Sequence, residues 1–314
     1  MTRKKMAASY AVPRRHITWK EEWKNHKFVY LMVLPVLLYY IVFKYIPMTG
    51  LIIAFQDFKI MDGIFSEWVG LKHFVEFLTG PFAWRTIRNT LLINIYSLLF
   101  GFPLPIIFAL MLNEVKCRHF RKVAQTISYM PHFISTVVIC GMLMDFCRTN
   151  GLFNDLLSPF MQERVNFLSD PKYFRTIFVG SSIWQGMGWS SIIYLATLSS
   201  VDLNLYDAAA IDGAGRMRRI WHITLPCLIP VITIQLIMRI GNIMSLGFEK
   251  IILLYSPLTY ETADTISSFV YRYGLQNANY SFGSAVGLFN SVIEIIILVT
   301  VNYLASRFLE NSLW

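Results

Sequence analysis

Charge is what this sequence has least of. Only 15% of its 314 residues are Asp, Glu, Lys or Arg, where an ordinary soluble domain carries about 25%. The four cysteines, Cys117, Cys140, Cys147 and Cys227, contain no C-x-x-C pair, so neither a disulfide framework nor a metal site is expected. Cys140 and Cys147 stand seven apart in an apolar run, which puts them on one helix face as small core residues. No G-x-x-x-x-G-K-[ST] stretch occurs, so the chain carries no phosphate-binding loop of that kind. Internal repeats, low-complexity stretches and linkers are also missing, which stands against a secondary transporter. A membrane-embedded transferase would want clustered Asp or His at one interface. Asp145, His132 and Glu294 make no such arrangement. No small-residue cleavage site follows the first apolar run, so that run is read as a retained anchor.

Apolar residues, by contrast, make up 55% of the chain, and the mean hydropathy is +0.49. That is too much for one globular core and suits an apolar solvent. About 30 Å of hydrocarbon takes roughly 20 helical residues, and lipid obliges each span to satisfy its own backbone. Six runs qualify, at about 28–46, 89–112, 125–146, 174–198, 223–246 and 282–308. Pro131 and His132 interrupt the start of the third. Pro226 and Pro230 fall in the first two turns of the fifth, where proline is tolerated best.

The net charge of +9 sits in short loops, with no basic-aromatic patch, so nucleic acid is not an expected partner. A basic tail (1–27) holds Arg3, Lys4, Lys5, Arg14, Arg15, Lys20, Lys24 and Lys27. The second-to-third loop adds Lys116, Arg118, Arg121 and Lys122, and the fourth-to-fifth adds Arg216, Arg218 and Arg219. In the intervening loops acids offset the cations: Glu67 and Glu76 beside Lys72, Asp155 and Glu163 beside Arg164. The bias predicts both termini on the cytoplasmic side of the membrane. Phe65, Trp68, Phe74, Phe77, Phe82 and Trp84 crowd the first outer loop, either as an interfacial aromatic belt or as a docking surface for an external partner. The spacing of Ile266, Phe269, Val270 and Tyr273 predicts a short helix capping the outer mouth.

The loop 202–222 reads Asp202-Leu-Asn-Leu-Tyr-Asp-Ala-Ala-Ala-Ile-Asp-Gly-Ala-Gly-Arg and continues to Pro226. Asp202 can cap a helix, Ala208 to Ala210 give it a smooth face, and Gly213 and Gly215 end it. Pro226 then falls in the first turn of the next span. A short rigid helix held at both ends by membrane helices is a lever. Asp207-Ala-Ala209, three residues, Gly213, nine residues, then Ile223-x-Leu-Pro226 resembles the EAA loop of binding-protein-dependent ABC importer permeases, with Asp207 in place of the usual Glu. Lys44-Tyr-Ile-Pro-Met-Thr-Gly50, Ala54-Phe-Gln-Asp-Phe58, Trp68-Val-Gly-Leu71, Tyr129-Met-Pro-His-Phe-Ile-Ser135 and Glu310-Asn-Ser-Leu-Trp314 are similar to its LplB-like poly- and oligosaccharide branch.

The resemblance implies an all-α, six-span type I ABC importer permease fold (MetI/MalF-like) over 28–314. It also implies a subunit with no chemistry of its own, coupling ATP hydrolysis elsewhere to oligosaccharide import by alternating access. ATPase coupling then falls to Asp207, Ala208, Ala209, Asp212, Gly213 and Ala214. The implied partners are a second homologous permease, a cytoplasmic ABC ATPase dimer that holds the ATP and Mg, an extracytoplasmic solute-binding protein and the oligosaccharide. No cofactor is implied on this chain.

Polar side chains in the spans are costly and usually face a cavity or one another. Gln235, Arg239 and Asn242 share one face of the fifth run, and Gly283, Gly287, Asn290 and Glu294 one face of the sixth. Asn94, Ser97 and Gly101 share a face of the second, while the fourth offers Trp184, Gln185 and Trp189. Taken singly, each is read as interhelical glue. As a set, Asn94, Trp184, Gln185, Gln235, Arg239, Asn242, Asn290 and Glu294 are read as a translocation path, because amides, carboxylates and aromatic faces bind sugars. Arg239 is expected to pair with Glu294 or to meet an acidic group of the cargo.

Overall fold

The computed structural model describes residues 19–161, 163–244 and 247–309. Most of the basic tail and the Glu310–Trp314 ending lie outside the described residues. The chain divides into two units at Ile52 and Ile53.

In the first unit, α1 (Trp19–Tyr40) continues through a π-helical turn, Ile41–Tyr45, into α2 (Ile46–Met48). None of its described side chains is buried. From Phe28 to Phe43 it is apolar on all sides, and such a helix belongs in lipid or against another chain.

The second unit opens with a two-residue antiparallel ladder, β1 (Gln56–Asp57) on β2 (Glu67–Trp68), pairing Gln56 with Trp68 and Asp57 with Glu67. Helices follow: α3 (Lys72–Thr79), α4 (Ala83–Gly101), α5 (Pro103–Glu114), α6 (Arg118–Tyr129), α7 (Thr136–Cys147), α8 (Leu152–Leu157) and α9 (Pro171–Ser199). Then come α10 (Leu203–Ile211), α11 (Arg216–Arg219), α12 (Leu225–Gly241), α13 (Phe248–Leu254), α14 (Tyr260–Ala263), α15 (Ile266–Phe269) and α16 (Tyr280–Leu309).

Among the described residues four helical runs are long and apolar enough to cross a membrane: His26–Phe55, Ala83–Glu114, Arg216–Gly241 and Tyr280–Arg307. The third expected span is not one straight helix. Arg118–Phe133 and Thr136–Cys147 meet at 96°. Pro131 has no amide to donate, the chain tightens to a 3₁₀ turn over Met130–Phe133, and Ser135 starts α7 afresh by accepting from the Val138 amide. Taken as one span, this bent pair makes a fifth. α9 has 29 residues, long enough to cross, but Ser181, Ser182, Gln185, Gly186 and Gly188 dilute its apolar character.

α9 is the axis on which the rest packs. Phe174, Phe178 and Val179 join Ile93 of α4, Ile139, Cys140 and Leu143 of α7, and Ile251 and Leu254 of α13 in one core. Further along, Tyr194 and Leu198 meet Ile106 and Ala109 of α5 and Leu228 of α12. A third core sets Phe77 of α3 and Ile266 and Phe269 of α15 against Phe282 and Val286 of α16. Gly188 lets α6 approach closely: a Cβ there would collide with the Ser128 carbonyl.

The stretch 257–276 folds as short helical pieces and not as one helix, with Ile266, Phe269, Val270 and Tyr273 all on the run from Ile266 to Gln276, and is fastened by polar contacts. The Asp264 side chain is fully buried and accepts from Arg85 (3.0 Å), Arg272 (2.7 Å) and the Ser268 hydroxyl (3.0 Å). Asn89 donates to the Glu261 and Asp264 carbonyls and accepts from Arg175. Thr90 accepts from the Ile266 amide. Burying so many polar groups is affordable only because they satisfy one another.

Candidate functional site: a lever and a polar cavity

Helix α10 is an exposed stub between α9 and the α11–α12 segment. Asp202 caps its start, its carboxylate accepting from the Asn204 amide at 2.9 Å. At the other end Gly213 takes φ +74°, a conformation that costs an L-residue about 1–2 kcal/mol. The turn closes with two bonds, Gly213 N–H to the Ala210 carbonyl (3.1 Å) and Ala214 N–H to the Ala209 carbonyl (2.8 Å), which is the Schellman arrangement. No residue of α10 is buried. Asp207, Ala208, Asp212 and Gly213 are exposed, Ala209 and Ala214 half-buried, and Leu203 and Ile211 are 74% and 87% exposed. The helix thus presents apolar side chains to solvent on a capped, rigid stub, and exposed apolar patches of that kind mark interaction sites in general. The tie back into the bundle is the Tyr206 hydroxyl, 3.0 Å from the Thr224 hydroxyl.

Within the spans lies a cavity of about 830 Å³, lined by residues that include Gly101, Trp189, Tyr194, Gln235, Arg239 and Asn242. The polar stripe expected on the fifth run therefore faces it as a set. Arg239 reaches from α12 towards Gly101 of α4. No ion pair among the described residues joins it to Glu294. Trp189 is 44% exposed. One of its faces is covered by the His132 ring, stacked at 4.5 Å, and Phe133 meets it edge-on.

The other candidates lie elsewhere. Trp184 lines a separate apolar pocket of about 440 Å³ with Phe146 and Phe153. Gln185 donates to the Ile134 carbonyl at 3.4 Å, holding the α6–α7 bend. Asn94 is buried and donates to the Thr90 carbonyl, with its own Oδ1 unsatisfied. Asn290 lines a pocket of about 340 Å³ beside Phe248 and Tyr271, and its Oδ1 is likewise unsatisfied. Glu294 is half-buried on α16. Sequence reasoning did not single out Trp189 or Tyr194 for the cavity, nor Lys250 as a buried cation. Trp189 was visible in its stripe, but which tryptophan faces the path depends on the bend.

Residues 101–311 match the family described as binding-protein-dependent transport system inner membrane component. Protein LplB of Bacillus subtilis (strain 168) is 42% identical, over 99% of this chain and 98% of that protein. The polygalacturonan/rhamnogalacturonan transport system permease protein YteP of the same organism is 42% identical, over 92% and 91%. Among solved structures, a chain of a bacterial alginate ABC transporter, crystallised in complex with its alginate pentasaccharide-bound periplasmic protein, superposes with a TM-score of 0.87. It is 42% identical, and the match covers 94% of this chain and 99% of that one. This chain belongs to the family of binding-protein-dependent transport system inner membrane components: it is a multi-pass permease subunit of an importer and not an enzyme.

Proposed function

We propose that this chain forms half of the translocation path of an ATP-driven oligosaccharide importer in the bacterial cytoplasmic membrane. It crosses six times, with the bent α6–α7 pair and α9 counted as spans, over residues 28–314, and both ends lie in the cytosol. The exposed, doubly capped α10 carries this reading, because such a stub needs something to push it. Its partner is a cytoplasmic ABC ATPase dimer, which holds ATP and Mg and seats Asp207, Ala208, Ala209, Asp212, Gly213 and Ala214 within the loop 202–222. A second, homologous permease closes the open side of the Arg239 cavity. An extracytoplasmic solute-binding protein delivers the cargo. The relatives named for pectic-polysaccharide transport and alginate import support a glycan cargo.

Gln235, Arg239 and Asn242 contact that cargo from α12. Trp189 packs on the C–H face of a sugar ring, as aromatic rings do in sugar sites. Asn94, Trp184, Gln185, Asn290 and Glu294 shape the path from behind. The test is ATP-dependent oligosaccharide uptake by the reconstituted transporter. Gly213→Val should abolish both uptake and co-purification with the ATPase. Uptake by this chain with no ATPase present would refute the proposal.

A further inference from the structure

Two cations in the bundle form no ion pair among the described residues. Arg239 faces the 830 Å³ cavity. Lys250 is 5% exposed; its Nζ donates to the Ser182 hydroxyl at 3.0 Å and lies 5.6 Å from the centre of the Phe178 ring. Both reach the same length of α9, because Ser182 and Arg239 line one small cavity of about 60 Å³ that shares Gly101, Pro105, Ser190 and Arg239 with the larger one. The acids that form ion pairs among the described residues, Glu76, Asp145, Asp155, Glu261 and Asp264, are all engaged with other residues. The outer end has the same sign of excess: Arg85, Arg88, Arg175 and Arg272 are gathered around Glu261 and Asp264. Charges in hydrocarbon persist when a partner neutralises them, and no ion pair among the described residues holds Arg239 or Lys250.

Resting on the reading of the large cavity as the sugar path, we infer that the cargo is an anionic oligosaccharide bearing uronate carboxylates, and that Arg239 reads the charge. A guanidinium binds a carboxylate through two parallel hydrogen bonds, fixing both its charge and its plane. Gln235 and Asn242, at i−4 and i+3 on the same face, are placed to bond the ring hydroxyls beside it. Trp189, backed by His132 on one face, is placed to cover the C–H side of the sugar. A neutral sugar offers the guanidinium hydroxyls alone, and a lysine in its place keeps the charge but loses the fork.

The test uses the complete transporter in proteoliposomes with its own binding protein and three cargoes: an oligouronide, the same oligosaccharide with its carboxyls reduced to CH₂OH, and a sulfated neutral oligosaccharide. Because the binding protein is constant, a change in cargo preference belongs to the permease. R239Q should slow uronide uptake roughly tenfold or more while leaving the carboxyl-reduced cargo within about twofold, with R239K in between. Where the reduced cargo is not delivered, the comparison is R239Q against R239K on the uronide alone, and R239K should retain the greater uptake. If R239Q does not assemble, R239K decides alone.

An unchanged preference in both variants would overturn the inference. So would a wild-type transporter that carries only the reduced cargo, or that prefers the sulfated one. Equal loss of every cargo together with loss of the second permease would assign Arg239 to the subunit contact instead. In each of these failures, cargo uptake that still depends on Gly213 leaves the permease reading standing. Uptake indifferent to Gly213 would sink that reading itself.

Discussion

The amide of Ala214 donates to the carbonyl of Ala209 across 2.8 Å, and that bond exists because Gly213 between them adopts φ +74°. A Cβ at Gly213 meets nothing within 4 Å, so the demand there is conformational and not one of space. Substitutions should therefore rank by tolerance of the left-handed region. Asn should retain most function, Ala should lose about 1 kcal/mol of local stability, and Val should lose more. ATPase co-purification and uptake across the three variants would check the order. A ranking by side-chain size alone would show that docking clash, and not the turn, decides.

Gly188 is a different kind of glycine. Its φ is ordinary, but a Cβ would collide with the Ser128 carbonyl, whereas at Gly186, two residues away, nothing lies within 4 Å. Gly188→Ala should destabilise the chain by about 1–3 kcal/mol, the usual cost of overpacking, and Gly186→Ala should be neutral. Thermal unfolding of the two variants in detergent distinguishes them.

The Asp264 side chain is fully buried and bonded to Arg85 and Arg272, while Glu261 is exposed and bonded to Arg88 at 2.6 Å. Removing a buried partner strands the charges it held, on the order of 3 kcal/mol or more. Removing an exposed one costs below about 1 kcal/mol. Asp264→Ala should thus unfold the 257–276 cap and Glu261→Gln should leave it in place, as read by proteolysis of that segment. The bond from Arg88 holds the Glu261 carboxyl below its ordinary range. The folded-state value is the depressed one, so the pair's contribution is complete above the usual carboxylate pKa and fades only as pH falls through the lower, folded-state value. Acidification from neutrality to mildly acid pH should leave the cap intact.

Trp189→Ala should slow cargo uptake more than Trp184→Ala does, since Trp189 lines the polar cavity and Trp184 an apolar pocket. Equal effects would detach the cavity from transport.

The loop 202–222 was legible because its signals are local. Asp202 as a cap, an alanine face and Gly213 as a terminator each act within one turn of chain, and the structure forms that helix where they put it. The polar stripe Gln235, Arg239 and Asn242 was legible because 3.6 residues per turn fixes a face without reference to anything outside the helix. The third run was not legible as a bend: hydropathy sums over Pro131 and cannot show that Ser135 restarts the helix at 96°. That bend sets Trp189 against His132 and sends Gln185 to the Ile134 carbonyl, so the choice between Trp184 and Trp189 was hidden with it. The buried position of Lys250 depends on α13 folding back between α7 and α9, which no periodicity records.

α9 runs without a break from Pro171 to Ser199, and only Ser200, Val201 and Asp202 separate it from α10. Trp189 stands ten residues before its end, about 15 Å along the axis. A rod of that kind has no joint in which to lose a displacement. A swing of about 10° at the α10 end would carry the indole some 2–3 Å sideways.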